Sequence, residues 1–258
     1  MTKLVQGIAA LGIPLSLLVA VGTAHAELKV RMPTVDYREL ELEHNGLVTF
    51  GRKGTEFDRA QNYTNEIAYG LTPWWQVELE QALVANPGTT LRNEAFAFEN
   101  TFQLTEPGEY FFNFGFFAEY EHVMTRGSAN ALTFGPIIQK ELPSFLGLST
   151  LHTVNLFFSH GVGANASRAT GFTYAWQSVA RLHPLLSPGV ELYGTISDLG
   201  NSGRYNRQFH TIGPVLVGTQ RLGNGLGRIR YEVGYQFGLT SNSPTGAVRW
   251  RLEYEIAF

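Results

Sequence analysis

The sequence predicts an all-β protein, an antiparallel up-and-down transmembrane β-barrel of about twelve strands. Three features predict this fold class. Most of the chain alternates between apolar and polar residues with a period of two, the connections between these segments alternate between short and long, and the last segment ends in Phe258. A period of two is the signature of strands, and membrane barrels join their strands by short turns at one end and longer loops at the other.

Composition narrows the functional classes before any motif is considered. The 258 residues include no cysteine, which excludes disulfides, iron–sulfur clusters and thiolate zinc sites. A formal net charge of −3 gives no sign of a nucleic-acid partner, because nucleic-acid binders carry a basic excess. The histidines lack metal-ligand spacing and the glycine-rich stretches lack the Lys-Ser/Thr of a phosphate loop. We therefore expect no metal, no cofactor and no nucleic acid.

Residues 1–26 have the features of a cleaved export signal. Lys3 is followed by the largely apolar stretch 8–21 and then by Ala24-His25-Ala26. A basic start, a short apolar core and small residues at the end predict a signal peptide that is cleaved after Ala26. Residues 27–258 contain no apolar run of the length that a membrane helix needs. The exported chain is therefore expected to span a bilayer only as a closed barrel.

Residues 27–258 contain eight segments that alternate strongly and four that alternate weakly. The strong segments are 63–71, 75–83, 95–104, 110–121, 153–159, 172–177, 229–239 and 248–258, and the weak ones are 35–44, 131–140, 190–197 and 209–217. Together they predict twelve strands. Two connections, 141–150 and 218–228, are longer than the short turns of a membrane barrel, so ten or fourteen strands are the alternatives.

Side-chain types predict which face of these strands meets lipid. One face carries Phe, Leu, Val and Tyr, and the other mixes Glu, Arg, Gln, Thr, Asn, Gly and Ala with very few lysines. Aromatic residues also stand near strand ends, as at Trp74, Trp75 and Tyr254, where membrane barrels carry aromatic girdles. These features favour an apolar outer face and a polar lumen. A soluble β-sandwich, which alternates in the same way, is the alternative.

The last segment of the chain resembles the C-terminal targeting strand of bacterial outer-membrane β-barrel proteins. It reads Val248-Arg-Trp-Arg-Leu-Glu-Tyr-Glu-Ile-Ala-Phe258. The resemblance implies a location in the bacterial outer membrane, contact with outer-membrane lipid, and recognition of Phe258 by the barrel-insertion machinery.

A second segment is similar to part of the outer-membrane family named after the phenol-degradation (MetA) pathway. It reads Asn65-Glu-Ile-Ala-Tyr-Gly-Leu-Thr-Pro-Trp-Trp-Gln-Val-Glu-Leu79, and members of that family carry a Tyr-Gly-Leu-Thr turn between two strands. This resemblance implies a channel for small solutes, aromatic or apolar ones included, and transfers no binding residue.

Inward-facing charges are expected to form a network in the lumen. In a meander barrel the last strand pairs with the first, which would bring two arginines beside a row of glutamates. The predicted network comprises Glu39, Glu41, Glu43, Glu78, Glu80, Glu99, Arg249 and Arg251. Such charges brace the lumen by pairing, and they also create a transverse field that orients a solute; the sequence favours neither role.

Twelve strands enclose a lumen between the filled barrels of about eight strands and the open channels of about 16 to 18. We expect Phe111, Phe117 and Phe157 to narrow this lumen, either as packing or as contacts for an apolar solute.

Ser159 and His160 have the residue types of an outer-membrane hydrolase, which is the competing functional class. Neighbouring strand positions point to opposite faces, so these two side chains can meet only where a strand has ended. We predict that they lie in a loop, that no residue is catalytic and that the protein is not an enzyme. Passage of small solutes is the expected function, and a non-conducting barrel that acts through its loops or as a structural component is the alternative.

The assignment of the faces predicts how the purified protein behaves. Because the apolar face is expected to contact acyl chains, the chain without its signal peptide should require detergent or lipid to remain in solution as a folded species. Size-exclusion chromatography with and without detergent measures this. A folded monomer in plain buffer would contradict the assignment.

Overall fold

The computed structural model describes residues 28–143, 147–223 and 225–258, so the predicted signal peptide over 1–26 lies outside the described residues. The strands are β1 (Glu39–Phe50), β2 (Gln61–Thr72), β3 (Trp75–Ala85), β4 (Arg92–Gln103), β5 (Asn113–Val123), β6 (Asn130–Pro143), β7 (Ser149–Val162), β8 (Thr170–Ala180), β9 (Ser187–Ile196), β10 (Phe209–Arg221), β11 (Arg228–Gly238) and β12 (Gly246–Ala257). Each strand pairs with its neighbours in sequence, and β12 pairs back with β1 to close the barrel. The predicted all-β fold and the count of twelve strands are confirmed.

Closure is antiparallel and in register along the whole seam. In the β1–β12 pair, Glu39 lies opposite Ala257 and Phe50 lies opposite Gly246, with every intervening residue paired. The described part of the chain has only two helices, single 3-10 turns between β9 and β10, and neither is long and apolar enough to cross a membrane. We call the end of the barrel where β1 begins and β12 ends the near end, and the opposite end the far end.

Some predicted strand limits are wrong in an informative way. The first strand was expected at 35–44, but β1 spans Glu39–Phe50 and residues 35–38 precede it. The connections expected at 141–150 and 218–228 are shorter than predicted and span 144–148 and 222–227. The reason is that β6, β7 and β10 extend beyond the alternating segments that predicted them. With these shorter turns the count of twelve strands agrees with the regular pattern of a meander.

The two faces of the barrel differ sharply in chemistry. Apolar side chains are exposed on the outside; Leu79 of β3, for example, is 62 % exposed. The side chains that point inward are mostly polar or charged and buried: Glu99 is 1 % exposed, and Gln236 and Glu191 are fully buried. Successive residues of a strand point to opposite faces, so one register fixes both surfaces. The closed sheet, with polar side chains inside and apolar side chains outside, rules out the β-sandwich that was the alternative fold.

The lumen contains a piece of the chain that belongs to no strand. Residues 28–36, which we call the lumen segment, run back from the start of β1 into the barrel, and Leu28 packs with Leu47 and Tyr193 in a buried apolar cluster. The backbone N–H of Arg31 donates to Asn155 Oδ1 at 2.7 Å, and Asn155 Nδ2 donates back to the Arg31 carbonyl at 2.9 Å. The segment therefore reaches from the near end to well inside the barrel and contacts the side of β7.

Two glycines make room for the lumen segment where it enters. A Cβ on Gly70 would lie 2.1 Å from the Asp36 carbonyl oxygen, and a Cβ on Gly115 would lie 2.8 Å from Pro33 Cα. Both distances are shorter than van der Waals contact. The atoms that would clash belong to the backbone, which cannot move aside as the end of a flexible side chain can. Glycine at these inward positions therefore permits the close approach of a second chain.

We predict that Gly115→Val expels the lumen segment. The chain contains no cysteine, so Val30→Cys provides a single thiol on the buried part of the segment. This thiol should resist an anionic, membrane-impermeant methanethiosulfonate reagent in the parent barrel and should react at least tenfold faster in the Gly115→Val background. Labelling followed by mass spectrometry measures the rate.

The control for this labelling is Lys53→Cys, which lies in an exposed connection and should react at the same rate in both backgrounds. Heat-modifiable gel mobility shows that both barrels are folded. If the thiol at residue 30 is then equally protected with and without Gly115→Val, the close approach at Gly115 is contradicted.

Candidate functional site

One side of the lumen is a wall of carboxylates. Glu43, Glu66, Glu78 and Glu99 point inward from the four consecutive strands β1 to β4 and are all buried; we call these four residues the glutamate wall. Carboxylates are almost never buried without a partner. The positive partners of the glutamate wall come largely from the lumen segment.

Lys29 binds three of the four carboxylates of the glutamate wall. Its ammonium lies 2.8 Å from Glu43 Oε1 and 3.2 Å from Glu78 Oε1, and it also contacts Glu66. Asn45 Nδ2 donates to both Glu43 and Glu66 at 2.7 Å and holds these two carboxylates toward the ammonium. One organic cation is therefore held among three carboxylates, at a place where their oxygens come close enough to ligate a metal ion.

Arg31 occupies the next position along the glutamate wall. Its Nη1 and Nη2 lie 2.6 and 2.8 Å from the two oxygens of Glu99, which is a bidentate pair, and Nη1 lies 3.3 Å from Glu78. The guanidinium also sits 4.2 Å from the centre of the Phe117 ring, and Phe117 packs on Phe157 with ring centres 4.9 Å apart. Bidentate pairing and stacking on an aromatic face are the two contacts that guanidinium makes best.

A second ionic group lies across the lumen on β9, β11 and β12. Arg249 Nε donates to Glu191 Oε2 at 2.6 Å, and Arg249 Nη2 lies 2.6 Å from Glu232. Gln177 and Gln236 donate to the same Glu191 carboxylate at 2.8 and 3.1 Å. All five side chains are buried, and each oxygen of Glu191 accepts from one glutamine and from Arg249.

Arg251 joins the two groups. It lies 2.6 Å from Glu43 Oε2 in the glutamate wall, 2.9 Å from Glu253 and 3.9 Å from Glu232. Its Nη1 also donates to the carbonyl of Val30 in the lumen segment at 3.4 Å. The ions inside the barrel therefore form one connected network that includes the lumen segment.

The near end carries a third set of pairs. Arg228 Nη2 lies 2.6 Å from Asp36 and 2.9 Å from Glu39, and Arg228 also contacts Glu255. Glu41 accepts from Gln76 Nε2 at 3.1 Å. These contacts fix the base of the lumen segment where it meets β1.

The structure places the sequence-predicted charges in the lumen, where Arg251 pairs with Glu43 of β1 as expected and Arg249 does not pair with β1. Glu43, Glu78, Glu80, Glu99, Arg249 and Arg251 are buried inside, and Glu39 and Glu41 are half-buried near the end of the barrel. Arg249 was expected beside the glutamates of β1. It instead reaches across β11 to Glu191, because in this register it lies opposite Gly234, which leaves that direction free.

The three predicted phenylalanines do not share one position. Phe117 and Phe157 face the lumen and pack on each other. Phe111 does not line the lumen: it precedes β5 in the connection 104–112, is 68 % exposed and lies under the Lys140 ammonium at 4.0 Å. The alternation that included Phe111 in a strand began at residue 110, three residues before β5 begins at Asn113.

Ser159 and His160 lie within β7 and not in a loop, which corrects the expectation for them. As neighbours on a strand they point to opposite faces of the sheet, Ser159 to the lumen and His160 outward. They therefore do not form a Ser–His pair.

Sequence reasoning missed the residues that fill the lumen. Lys29 and Arg31 alternate with Leu28 and Val30 directly after the predicted cleavage position, and this pattern was the available signal. Four alternating residues are fewer than any of the segments that predict strands, and alternation alone does not indicate that an extended chain lies inside a lumen.

Comparison with known proteins leaves the family open. No protein-family model matches the chain, and no curated protein matches it. Among solved structures, the outer membrane protein OprD from Pseudomonas aeruginosa is similar over 90 % of this chain and 98 % of that chain, at 10 % identity and a TM-score of 0.30. The fold described above rests on its own strand pairing, and the resemblance of residues 65–79 to the phenol-degradation family stays a prediction.

We predict that Arg249→Ala destabilises the barrel strongly. It leaves the buried carboxylate of Glu191 without the cation that it contacts and leaves Glu232 with only Arg251 at 3.9 Å, a change that costs about 3 kcal/mol or more. The matched control is Arg181→Ala, whose partner Glu141 is 46 % exposed at 3.0 Å, and which should cost about 1 kcal/mol or less. Urea unfolding in lipid vesicles measures both, and equal losses would show that the buried pairs contribute no more than an exposed one.

Proposed function

We propose that this protein is an outer-membrane channel for small solutes that is closed by its own lumen segment. In this proposal the signal peptide over 1–26 is removed, and residues 27–258 insert as the barrel. The exposed apolar outer face, with residues such as Ile67, Leu79 and Leu252, supports a location in lipid. The C-terminal strand that ends in Phe258 supports recognition by the barrel-insertion machinery.

One observation carries the channel proposal: the material that fills the lumen is not part of the barrel. Every strand keeps both of its neighbours without residues 28–36, since the β1–β12 seam begins at Glu39. The segment can therefore leave without breaking the pairing of the barrel strands. Its departure would uncover polar inward side chains such as Glu78, Asn155 and Gln139, which suit a passage that contains water.

The non-conducting barrel is the second candidate, and a specific observation favours it. The ions of the lumen form one connected network, in which Arg251 contacts the lumen segment, the glutamate wall and Glu232 on the opposite side. This connected network is the arrangement expected of a lumen that stays permanently filled. Conductance separates the two candidates because only the channel has an open state.

An aromatic or apolar solute, the finer part of the sequence-based hypothesis, is less well supported than a polar one. Phe117 and Phe157 offer aromatic surface, but the Arg31 guanidinium covers the Phe117 ring. The remaining lining of the lumen is dominated by charges and amides, which favour polar solutes.

We predict that removing the two cations of the lumen segment opens the channel. Lys29→Ala combined with Arg31→Ala leaves the glutamate wall without its main counterions, so the segment loses its ion pairs with the wall and the carboxylates become hydrated. Single-channel recording in planar bilayers should show brief, rare openings for the parent protein and an open probability at least tenfold higher for the double variant.

Lys53→Ala is the control for charge removal at an exposed connection and should behave as the parent does. If folded parent and double variant both show no conductance steps, and liposomes containing them do not swell in sugar solutions, the channel proposal fails and the non-conducting barrel stands.

A further inference from the structure

The glutamate wall holds two different organic cations from a segment that is not part of the barrel. One is a primary ammonium, Lys29, and the other is a guanidinium, Arg31, and their side chains are 4 % and 8 % exposed. We propose that the glutamate wall is a binding site for small linear dications, molecules that carry two ammonium or guanidinium groups on one alkyl chain. Such a solute would compete with the lumen segment and release it; this inference rests on the proposed channel and names its class of solute.

The geometry of the contacts indicates why a dication is preferred to a single charge. Glu78 contacts both cations, through Oε1 to Lys29 at 3.2 Å and through Oε2 to Arg31 at 3.3 Å. The two positive groups are therefore bridged by one carboxylate and lie a short alkyl chain apart. A monocation can satisfy one side of Glu78 but leaves the other side unpaired, and unpaired buried carboxylates are costly.

The charge balance of the lumen excludes other solute classes from this site. Among the described residues, Lys29, Arg31 and Arg251 contact the carboxylates of the glutamate wall, and of these three Arg251 belongs to a barrel strand. When the segment leaves, a neutral solute does not restore the balance and an anion worsens it. A ring of carboxylates in a narrow passage selects cations for the same reason.

The near end offers a route to the base of the lumen segment. A cleft of about 370 Å³ opens there beside Thr34 and Asp36, and Gln103 and Glu106 form part of its opposite side. Two of these lining residues are acidic, which attracts cations toward the opening. A cationic solute can therefore approach the segment at the point where it enters the barrel.

The first test uses agmatine, which carries an ammonium and a guanidinium on a four-carbon chain and so matches the Lys29 and Arg31 pair. Butylamine and butylguanidine, which carry one charge each, are the matched probes. The Val30→Cys protein in proteoliposomes is labelled with an anionic methanethiosulfonate reagent, which cannot itself bind the glutamate wall. Agmatine should raise the labelling rate at least tenfold and saturably, while the two monocations at equal charge concentration should change it less than twofold.

The second test measures binding directly in the double variant Lys29→Ala, Arg31→Ala, where the glutamate wall is free of the segment's cations. Calorimetry should detect saturable agmatine binding, which Glu78→Gln in the same background weakens at least tenfold. Glu94→Gln is the control, because Glu94 pairs with Arg92 on an exposed part of β4 outside the glutamate wall. Heat-modifiable gel mobility shows whether each variant is folded. If one is not, the first test, which compares agmatine with the two monocations in the Val30→Cys protein, decides whether the proposal holds.

The outcomes separate this inference from the channel proposal. A conducting barrel in which agmatine acts no differently from the monocations would overturn the dication site and leave the channel. A barrel that binds agmatine saturably but never conducts would overturn the channel and leave the binding site.

Discussion

The interior of this barrel depends on the neutralisation of buried carboxylates. In the described strands β1 to β4, inward glutamates are frequent, but no Lys or Arg of those strands faces the lumen at the level of the glutamate wall; Arg92 lies at the far rim and pairs with Glu94. Burial of unpaired carboxylates costs several kcal/mol for each ion. The wall therefore needs cations from elsewhere, and the lumen segment and β12 provide them. The path of residues 28–36 follows from this requirement.

The same requirement connects parts of the barrel that are far apart in sequence. A continuous series of ion pairs runs from Lys29 through Glu43, Arg251 and Glu232 to Arg249. Each carboxylate in the series contacts two cations or two donors, so the loss of one member leaves its neighbours with unsatisfied charge. The lumen segment and the charges of β11 and β12 are therefore linked through Glu43 and Arg251.

The fold and the direction of most side chains were predictable because both are local properties. A period of two fixes which residues share a face, so the sequence alone assigned Glu43, Glu78 and Arg251 to the lumen. The partners of these residues were not predictable in the same way. Whether Arg249 reaches Glu191 or the glutamates of β1 depends on strand register and on barrel width, which no local pattern contains. The lumen segment was not predicted because its position inside the barrel depends on contacts with strands far away in sequence, such as that of Arg31 with Asn155.

Closure of the barrel restricts how the lumen segment reaches its place. A sheet with no free edge admits a chain only through its ends, so the segment enters either before the β1–β12 seam forms or afterwards as a free end. On the proposed mature chain, which begins at Glu27, the segment has a single covalent anchor at the start of β1. A short, singly anchored segment can pass through the near end in either direction, whereas a loop anchored at both ends would have to double back within the same narrow lumen. The position of Lys29 and Arg31 next to the predicted cleavage position therefore suits a closure that is held by charge and is reversible.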